Sequence, residues 1–540
     1  MLAKKTIKSP VVQIVLIALF LLVIANRSFI SQVINITPER TPGNILFVLS
    51  ICWVLGSVMI LLVSALSMFT GIRAAGAIFI LLSAPLAYAT ATYGIVFDKS
   101  MIINFLETDT HEALSYFNYS AGFIVVLSGV VPAWLLFRIT SSNPYRVQML
   151  SALKVTAFSL VSVVLLGAFY YKDYAAFFRN HHELTRYITP VSFLDATVKV
   201  AKKSVLQQNT PLLVLDPSPA IHQDQAGVES LTVIVVGETA RADHFQILGY
   251  PRNTTPELAS IGLTMATDIT SCGTATAVSV PCMFSRLDRS EYNHYSAEQQ
   301  ENVLDIIQKA GYEVFWIDNN SSCKGVCKRV NQITIEQLDP VTCAQGTCYD
   351  QVLLSALEEY ISVSTASHAV VVLHMLGSHG PTYYQRYPDS FRRFTPDCPQ
   401  SDIQHCSNEA LINTYDNTIA YTDHVLAGLI HVLESSHIER TQLLYVSDHG
   451  ESLGEAGLYL HGFPYALAPE SQTTVPLLFW RNTPMLATNQ CAMHNKDQYS
   501  HDNLYDTLLG ATAVTSSTYK PERDILAQCM GQQSLRIGQP

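Results

Sequence analysis

Charged side chains are scarce in this chain. They make up 14% of its 540 residues, whereas ordinary soluble domains contain roughly 25%. Basic residues are the scarcer kind, 33 against 44 acidic ones, and the net charge is −11. No basic cluster occurs outside the flanks of the long apolar runs. This balance argues against a surface for nucleic acid, and we expect no nucleic-acid partner.

Cysteine is nearly absent from the first half of the chain. Cys52 stands alone there, and the other ten cysteines all follow residue 270. An even number of cysteines in an oxidising compartment predicts disulfides. The spacing favours five local pairs: Cys272 with Cys282, Cys323 with Cys327, Cys343 with Cys348, Cys398 with Cys406, and Cys491 with Cys529. A zinc ribbon from Cys323 to Cys348 is the alternative, but its inner spacings fit poorly.

Long apolar runs are concentrated in the first 171 residues. A membrane-spanning helix needs about 20 mostly apolar residues. Five stretches approach that length with their flanks: 11–25, 45–68, 74–96, 121–137 and 155–170. The sequence therefore predicts a transmembrane domain of five helices over residues 1–171, with an uncleaved first span.

Lysine and arginine flank these spans unevenly. One side of the membrane would carry Lys4, Lys5, Lys8, Arg73, Arg138, Arg146 and Lys154. The positive-inside rule then places the amino terminus in the cytoplasm and everything after residue 171 outside, which in a bacterium is the periplasm. Residues 172–230 form a predicted connector. Its aromatic first part indicates an amphipathic helix at the membrane surface, and a plain linker is the alternative.

Four apolar runs after residue 230 end in polar residues. They cover 231–236, 312–317, 369–376 and 443–446, with helical patterns between them. Such alternation predicts an α/β domain over residues 231–540, with a mostly parallel central sheet flanked by helices. Ligands gather at the carboxyl ends of parallel strands. Glu238, His379, Asp448 and His449 fall there, and carboxylates with imidazoles are good ligands for Zn²⁺.

A loop rich in hydroxyl groups lies between Cys272 and Cys282. Thr274, Thr276 and Ser279 are all candidate nucleophiles, because a base or a metal can lower the pKa of a hydroxyl. The alternative is a helix cap without chemistry. Both interpretations are compatible, since a helix amino terminus also receives phosphate well.

Four motifs resemble those of the bacterial phosphoethanolamine transferases. They are GETAR at 237–241, CGTATA at 272–277, SHGPTYY at 378–384 and SDHGES at 447–452. The likeness covers nearly the whole chain and is nearest to the lipid A group, which includes the mobile colistin-resistance enzymes. It implies an alkaline-phosphatase-like fold related to sulfatases. It also implies an inner-membrane enzyme that moves phosphoethanolamine from phosphatidylethanolamine to an acceptor through a phosphothreonine.

The resemblance also implies a role for individual residues. Thr276 is the nucleophile, and Glu238, Thr276, Asp448 and His449 hold a tightly bound zinc. His379 and His461 contact the phosphate or a second, exchangeable zinc. The remaining matched positions surround the donor: Asn320, Lys324 and Glu451 at its head group, and Asn104 and Glu112 where the lipid pocket closes. Val278 departs from an aromatic residue that is common in the family.

The acceptor and the reaction class remain open at this point. Lipid A is the acceptor we expect, with weaker binding of polymyxins as the consequence. Core sugars of lipopolysaccharide or a periplasmic glucan are alternatives. A membrane-tethered sulfatase or phosphatase is another hypothesis, although the C/S-x-P-x-R motif of sulfatases is missing: residues 282–286 read CMFSR. A third hypothesis is a non-enzymatic sensor that retains only a vestigial active site. We expect a monomer.

Overall fold

The computed structural model describes residues 7–37, 41–107, 119–140, 143–207, 211–335, 343, 348–483 and 499–527. Contacts divide the chain into two compact units. One comprises Met1–Ile102 with Phe117–Val200, and the other Ile103–Tyr116 with Ala201–Pro540. The domain boundaries drawn from the sequence at residues 171 and 230 stay predictions.

The first unit is helical. Its helices, together with two that continue into the second unit, are α1 (Pro10–Phe20), α2 (Arg27–Ile36), α3 (Pro42–Thr70), α4 (Ile72–Tyr93), α5 (Lys99–Glu107), α6 (Tyr119–Val125), α7 (Val131–Ile139), α8 (Tyr145–Phe169), α9 (Tyr171–Asn180) and α10 (Val191–Gln207). A π-helical turn, Val126–Val130, joins α6 to α7. In the part of the chain that the structure describes, four helices are long and apolar enough to span a membrane: α3, α4, the joined α6–α7 and α8.

A fifth span is present if the bent pair of α1 and α2 is counted as one. The two segments meet at 62°, after a π-helical turn at Leu21–Ala25, which is a common cause of sharp kinks. Asn26 lies buried at the bend. Its side chain donates to Leu21 O at 2.9 Å and exchanges two hydrogen bonds with the backbone of Thr189. Asn26 therefore satisfies a carbonyl of the bent segment and ties the bend to the chain at Thr189.

Aromatic side chains of α9 pack within the same helical unit. The rings of Tyr174 and Phe177 lie 5.6 and 5.5 Å from that of Phe47, centroid to centroid. The Tyr174 hydroxyl donates to Ser50 Oγ at 2.8 Å. The first part of the predicted connector is therefore helical and covers α3 with aromatic rings.

The second unit is built on a central sheet. The strands of this unit are β1 (Ala220–Ile221), β2 (Ser230–Gly237), β3 (Met265–Thr270), β4 (Glu313–Asp318), β5 (Asn331–Thr334), β6 (His368–His374), β7 (Arg440–Ser447), β8 (Ser452–Leu453), β9 (Tyr459–Leu460), β10 (Thr474–Arg481) and β11 (Val514–Thr515). Among the described residues, seven strands form the sheet in the order β3-β10-β7-β2-β6-β4-β5, and β10 is antiparallel to both β3 and β7.

Helices cover both faces of this sheet. They are α11 (Pro256–Ile261), α12 (Thr276–Met283), α13 (His294–Glu298), α14 (Val303–Lys309), α15 (Val352–Val363), α16 (Asn408–Ser435), α17 (Glu470–Thr473) and α18 (Leu504–Ala511). Val and Ile side chains of β2, β6 and β7 are fully buried between them. The predicted α/β architecture with a mostly parallel sheet is confirmed.

The sheet brings together four strand ends that carry carboxylate or imidazole side chains, all on the side of the sheet where the parallel strands end. Glu238 follows β2, Asp448 follows β7, and His374 and Asp318 close β6 and β4. In the register of the sheet, β2 lies between β7 and β6, and β4 lies beyond β6. Residues that are far apart in sequence therefore become neighbours at the carboxyl ends of the strands.

Disulfides bridge four of the cysteine pairs favoured by the spacing. They join Cys272 to Cys282, Cys323 to Cys327, Cys343 to Cys348, and Cys398 to Cys406. Cys491 and Cys529 lie outside the described residues. The first bridge links the two ends of the segment that contains the candidate nucleophiles, and thereby limits the freedom of that loop.

Candidate active site

Thr276 is the first residue of α12, and its hydroxyl is fixed by two partners. Oγ1 donates to Glu238 Oε2 at 3.0 Å and lies 3.3 Å from His449 Nε2. The side chain is 5% exposed, so it is nearly enclosed yet reachable at the end of the helix. A hydroxyl held between a carboxylate and an imidazole is placed as a nucleophile would be.

The other two hydroxyl candidates have structural partners. Thr274 Oγ1 donates to Phe463 O at 2.6 Å, and Gly462 N donates to Thr274 O at 2.6 Å. Ser279 Oγ accepts a hydrogen bond from Gly273 N at 2.9 Å. Thr274 therefore joins the nucleophile loop to the loop after β9, and Ser279 stabilises the turn into α12.

Three further side chains converge on Thr276. Glu238, Asp448 and His449 are completely buried, and one potential ligand atom of each lies within 4.8 Å of the others. His449 Nε2 is 3.5 Å from Glu238 Oε1 and 3.3 Å from Asp448 Oδ2. The structure therefore brings together Thr276, Glu238, Asp448 and His449, the four residues that the family resemblance implied as one ligand set.

The hydrogen bonds of this cluster suit a bound cation. His449 Nδ1 lies 2.9 Å from Gly450 O; in the tautomer that donates to this carbonyl, the lone pair of Nε2 is free for a metal. Within the described residues, Glu238 Oε1 and Asp448 Oδ2 are buried without a hydrogen-bond partner. Two buried carboxylate oxygens without a donor are costly, and a divalent cation would satisfy both. The residues present therefore fit a metal ion.

Burial shifts the proton affinities of the same groups in opposite directions. It raises the pKa of Asp448 to about 6 and lowers the pKa of His449 to about 4. The neutral imidazole is the form that binds metals. Burial also raises the pKa of Glu451 to about 8, which favours the protonated carboxyl.

Two more histidines lie beside the ligand cluster. The His461 ring is 4.5 Å from that of His449 and 5.2 Å from that of His379, centroid to centroid. His461 Nδ1 lies 3.3 Å from Glu451 Oε1. Glu451 therefore contacts a histidine here. His379, His461 and Glu451 therefore form one polar group beside His449.

Asn320 and Lys324 come from the turn after β4. The Asn320 side chain donates to Glu238 Oε2 at 2.9 Å. Lys324 is buried, and its ammonium donates to Ser321 Oγ at 2.8 Å and to Glu107 O at 3.1 Å. Of the two positions matched to the lipid pocket, Asn104 is half-buried in α5 and Glu112 lies outside the described residues.

Some supporting residues were not found from the sequence. Asp350 accepts hydrogen bonds from Leu376 N and Gly377 N, both at 2.8 Å, and thus fixes the loop before His379. His501 Nδ1 accepts from Cys272 N at 3.1 Å, and Nε2 lies 3.0 Å from Ser447 O. Neither residue lies near a motif or a strand end in the sequence, so no local signal marks it.

Comparison with known proteins shows which families the chain matches. Residues 230–514 match the sulfatase family, and residues 55–205 match the family described as phosphoethanolamine transferase EptA/EptB. Phosphoethanolamine transferase EptA of Escherichia coli (strain K12) is 40% identical, over 97% of this chain and 99% of that protein. Phosphatidylethanolamine transferase Mcr-1 of Escherichia coli is 36% identical, over 95% and 96%.

A solved structure extends the match to the whole architecture. It is the integral membrane lipooligosaccharide phosphoethanolamine transferase A of Neisseria meningitidis, with a TM-score of 0.90 and 35% identity over 97% of this chain and 99% of that one. The predicted multi-pass membrane location with a periplasmic catalytic domain is confirmed. The chain therefore belongs to the phosphoethanolamine transferase family and is a membrane-bound transferase.

Proposed function

We propose that this protein transfers phosphoethanolamine from phosphatidylethanolamine to lipid A at the outer face of the bacterial inner membrane. The observation that carries the proposal is the Thr276 hydroxyl, hydrogen-bonded to Glu238 at 3.0 Å and 3.3 Å from His449. The lipooligosaccharide in the name of the Neisseria relative supports a lipid-linked saccharide as the acceptor.

Zinc is the metal that this donor set favours. Two carboxylates, an imidazole and the Thr276 oxygen are four ligands of the kind that Zn²⁺ prefers. When bound, Zn²⁺ would lower the pKa of the hydroxyl and polarise the phosphoryl group. Glu238, Thr276, Asp448 and His449 would hold the tight ion, and His379 with His461 would hold an exchangeable one or the phosphate itself.

The reaction has two balanced steps on this chain. First, Thr276 Oγ1 forms a bond to the donor phosphorus, the bond to the diacylglycerol oxygen breaks, and the Thr276 proton passes to a neighbouring base. Diacylglycerol leaves with a proton, for which His379 and His461 are the candidate acids. Next, an acceptor phosphate oxygen forms a bond to the phosphorus of the phosphothreonine, the bond from phosphorus to Thr276 Oγ1 breaks, and Thr276 takes a proton back from the neighbouring base. The ethanolamine then adds a positive charge to the acceptor, which weakens the binding of cationic polymyxins.

The acceptor is tested by mass spectrometry of lipid A. Cells that lack their own transferase are compared with and without this protein, and with Thr276→Ala as the inactive control. We expect phosphoethanolamine on lipid A in the wild type only, together with a rise in polymyxin resistance. Modification confined to core sugars or a glucan would contradict the acceptor. Release of free phosphoethanolamine alone would make the protein a hydrolase.

The nucleophile is tested by substitution and intact mass. We expect Thr276→Ala to lower transfer on the order of 10⁴- to 10⁶-fold, as for other removed nucleophiles, with its fold and membrane insertion intact. The wild type incubated with donor lipid should carry a phosphoethanolamine adduct on Thr276. Thr274→Ala is the matched control and should keep that adduct, because Thr274 bonds only backbone. An adduct on Thr274 or Ser279 would make the assignment wrong.

Zinc content tests the ligand set. We expect about one zinc to remain through purification and a second to exchange freely, because the two ligand groups differ in charge. Glu238→Ala should lose the tight ion, since it removes a buried carboxylate. Glu358→Ala, on the exposed face of α15, is the control and should retain it. Full zinc retention in Glu238→Ala would contradict the proposed site.

The lipid-pocket residues give a separate prediction. A carboxylate at Glu112 should attract the donor ammonium, and the Asn104 amide should bond the head group. Losing either should strongly reduce transfer from full-length phosphatidylethanolamine in liposomes at equal expression. Rates equal to the wild type in Glu112→Ala and Asn104→Ala would show that this segment does not contact the donor.

A further inference from the structure

The carboxamide of Asn320 makes all its donor hydrogen bonds inside the protein. Nδ2 donates to Glu238 Oε2 at 2.9 Å and to Met375 O at 2.8 Å, and Oδ1 accepts from Ser321 N at 2.6 Å. A carboxamide nitrogen carries two hydrogens. Both are therefore used, and no donor remains for the phosphate of a substrate.

Glu238 is fixed asymmetrically as a result. Oε2 accepts hydrogen bonds from Asn320 and from the Thr276 hydroxyl, whereas Oε1 has no such partner among the described residues. Oε1 instead lies 3.5 Å from His449 Nε2. Rotating the carboxylate would break both bonds to Oε2, so Asn320 keeps Oε1 available on the side of the other ligands.

The position of Asn320 is itself set by the sheet. Its backbone N–H donates at 2.8 Å to Oδ1 of Asp318, the last residue of β4. The bond to Met375 O reaches the residue after β6. Asn320 thus connects the ends of two adjacent strands and presents its amide to a third strand end, that of β2, where Glu238 lies.

We propose that Asn320 is a positioning residue for the ligand Glu238 and not a hydrogen-bond donor to the phosphate of the head group. The proposal rests on the zinc site of the proposed function, since it gives Asn320 a role toward that ion. Outer partners of metal ligands typically change metal affinity by about 10–100-fold when they are removed. A head-group contact would instead change the KM for the lipid and leave the metal in place.

The test uses the full-length protein in detergent. Asn320→Ala removes the amide, and Asn320→Leu removes it while keeping the volume. Zinc affinity is measured by chelator competition, and kcat and KM with phosphatidylethanolamine are measured at saturating zinc. We expect the zinc dissociation constant to rise by roughly 10–100-fold in both variants, with the KM unchanged once zinc is saturating.

Lys324→Ala, in the same turn, is the matched control and should retain zinc. Unchanged zinc affinity with a raised KM in the Asn320 variants would overturn the proposal and restore a head-group role. Variants that stay unfolded at saturating zinc would make Asn320 a residue of the fold and also overturn it. If the wild type itself binds no zinc, the proposed metal site is wrong. If the wild type binds zinc and the Asn320 variants bind it with the same affinity, only the proposed role of Asn320 is wrong.

Discussion

Glu238 and Asp448 are buried completely, and within the described residues one oxygen of each lacks any hydrogen-bond donor. The effective penalty for burying an ion in a protein is several kcal/mol unless the charge is compensated. The neighbouring side chains are arranged around these two buried carboxylates. His449 bonds Gly450 through one nitrogen and faces both carboxylates with the other. Thr276 and Asn320 occupy the remaining oxygen of Glu238.

The topology explains how such a cluster can form without long loops. β7, β2, β6 and β4 are adjacent and parallel, so the residues that follow them share one edge. Short loops after β2 and β7 then place Glu238 and Asp448 side by side. Other connections hold the neighbouring segments: Asp350 fixes the chain after β6, and His501 ties the nucleophile loop to β7. The precision of the site thus comes mainly from the sheet.

Much of this arrangement could be predicted from the sequence. The apolar runs located β2, β4, β6 and β7 to within a few residues, because strands buried on both faces leave a continuous pattern. β3 and β5 were missed. β3 alternates between buried and half-buried residues at the edge of the sheet, and β5 is the polar stretch Asn331–Thr334. The antiparallel β10 was missed as well, and it contains Pro476.

Site residues that belong to a sequence motif could be predicted. Site residues that are defined only by tertiary contacts could not. Spacing alone left Thr274, Thr276 and Ser279 as equal candidates. Their hydrogen-bond partners distinguish them: Thr276 and Thr274 bond distant segments, whereas Ser279 bonds Gly273 within its own loop. The roles of Asp350 and His501 are purely tertiary, since each bonds backbone that lies far away in the chain.

The ligand cluster also has a consequence for how the protein matures. Thr239 N donates to Asp448 Oδ1, and these residues are 209 positions apart in the chain. Forming a contact between residues so far apart requires the closure of a long loop, which slows folding. A metal site of this kind does not exist in the unfolded chain, so metal affinity is coupled to folding. If the cluster holds the proposed ion, the ion will bind only molecules in which these distant segments have already come together, and its binding will in turn stabilise the folded domain.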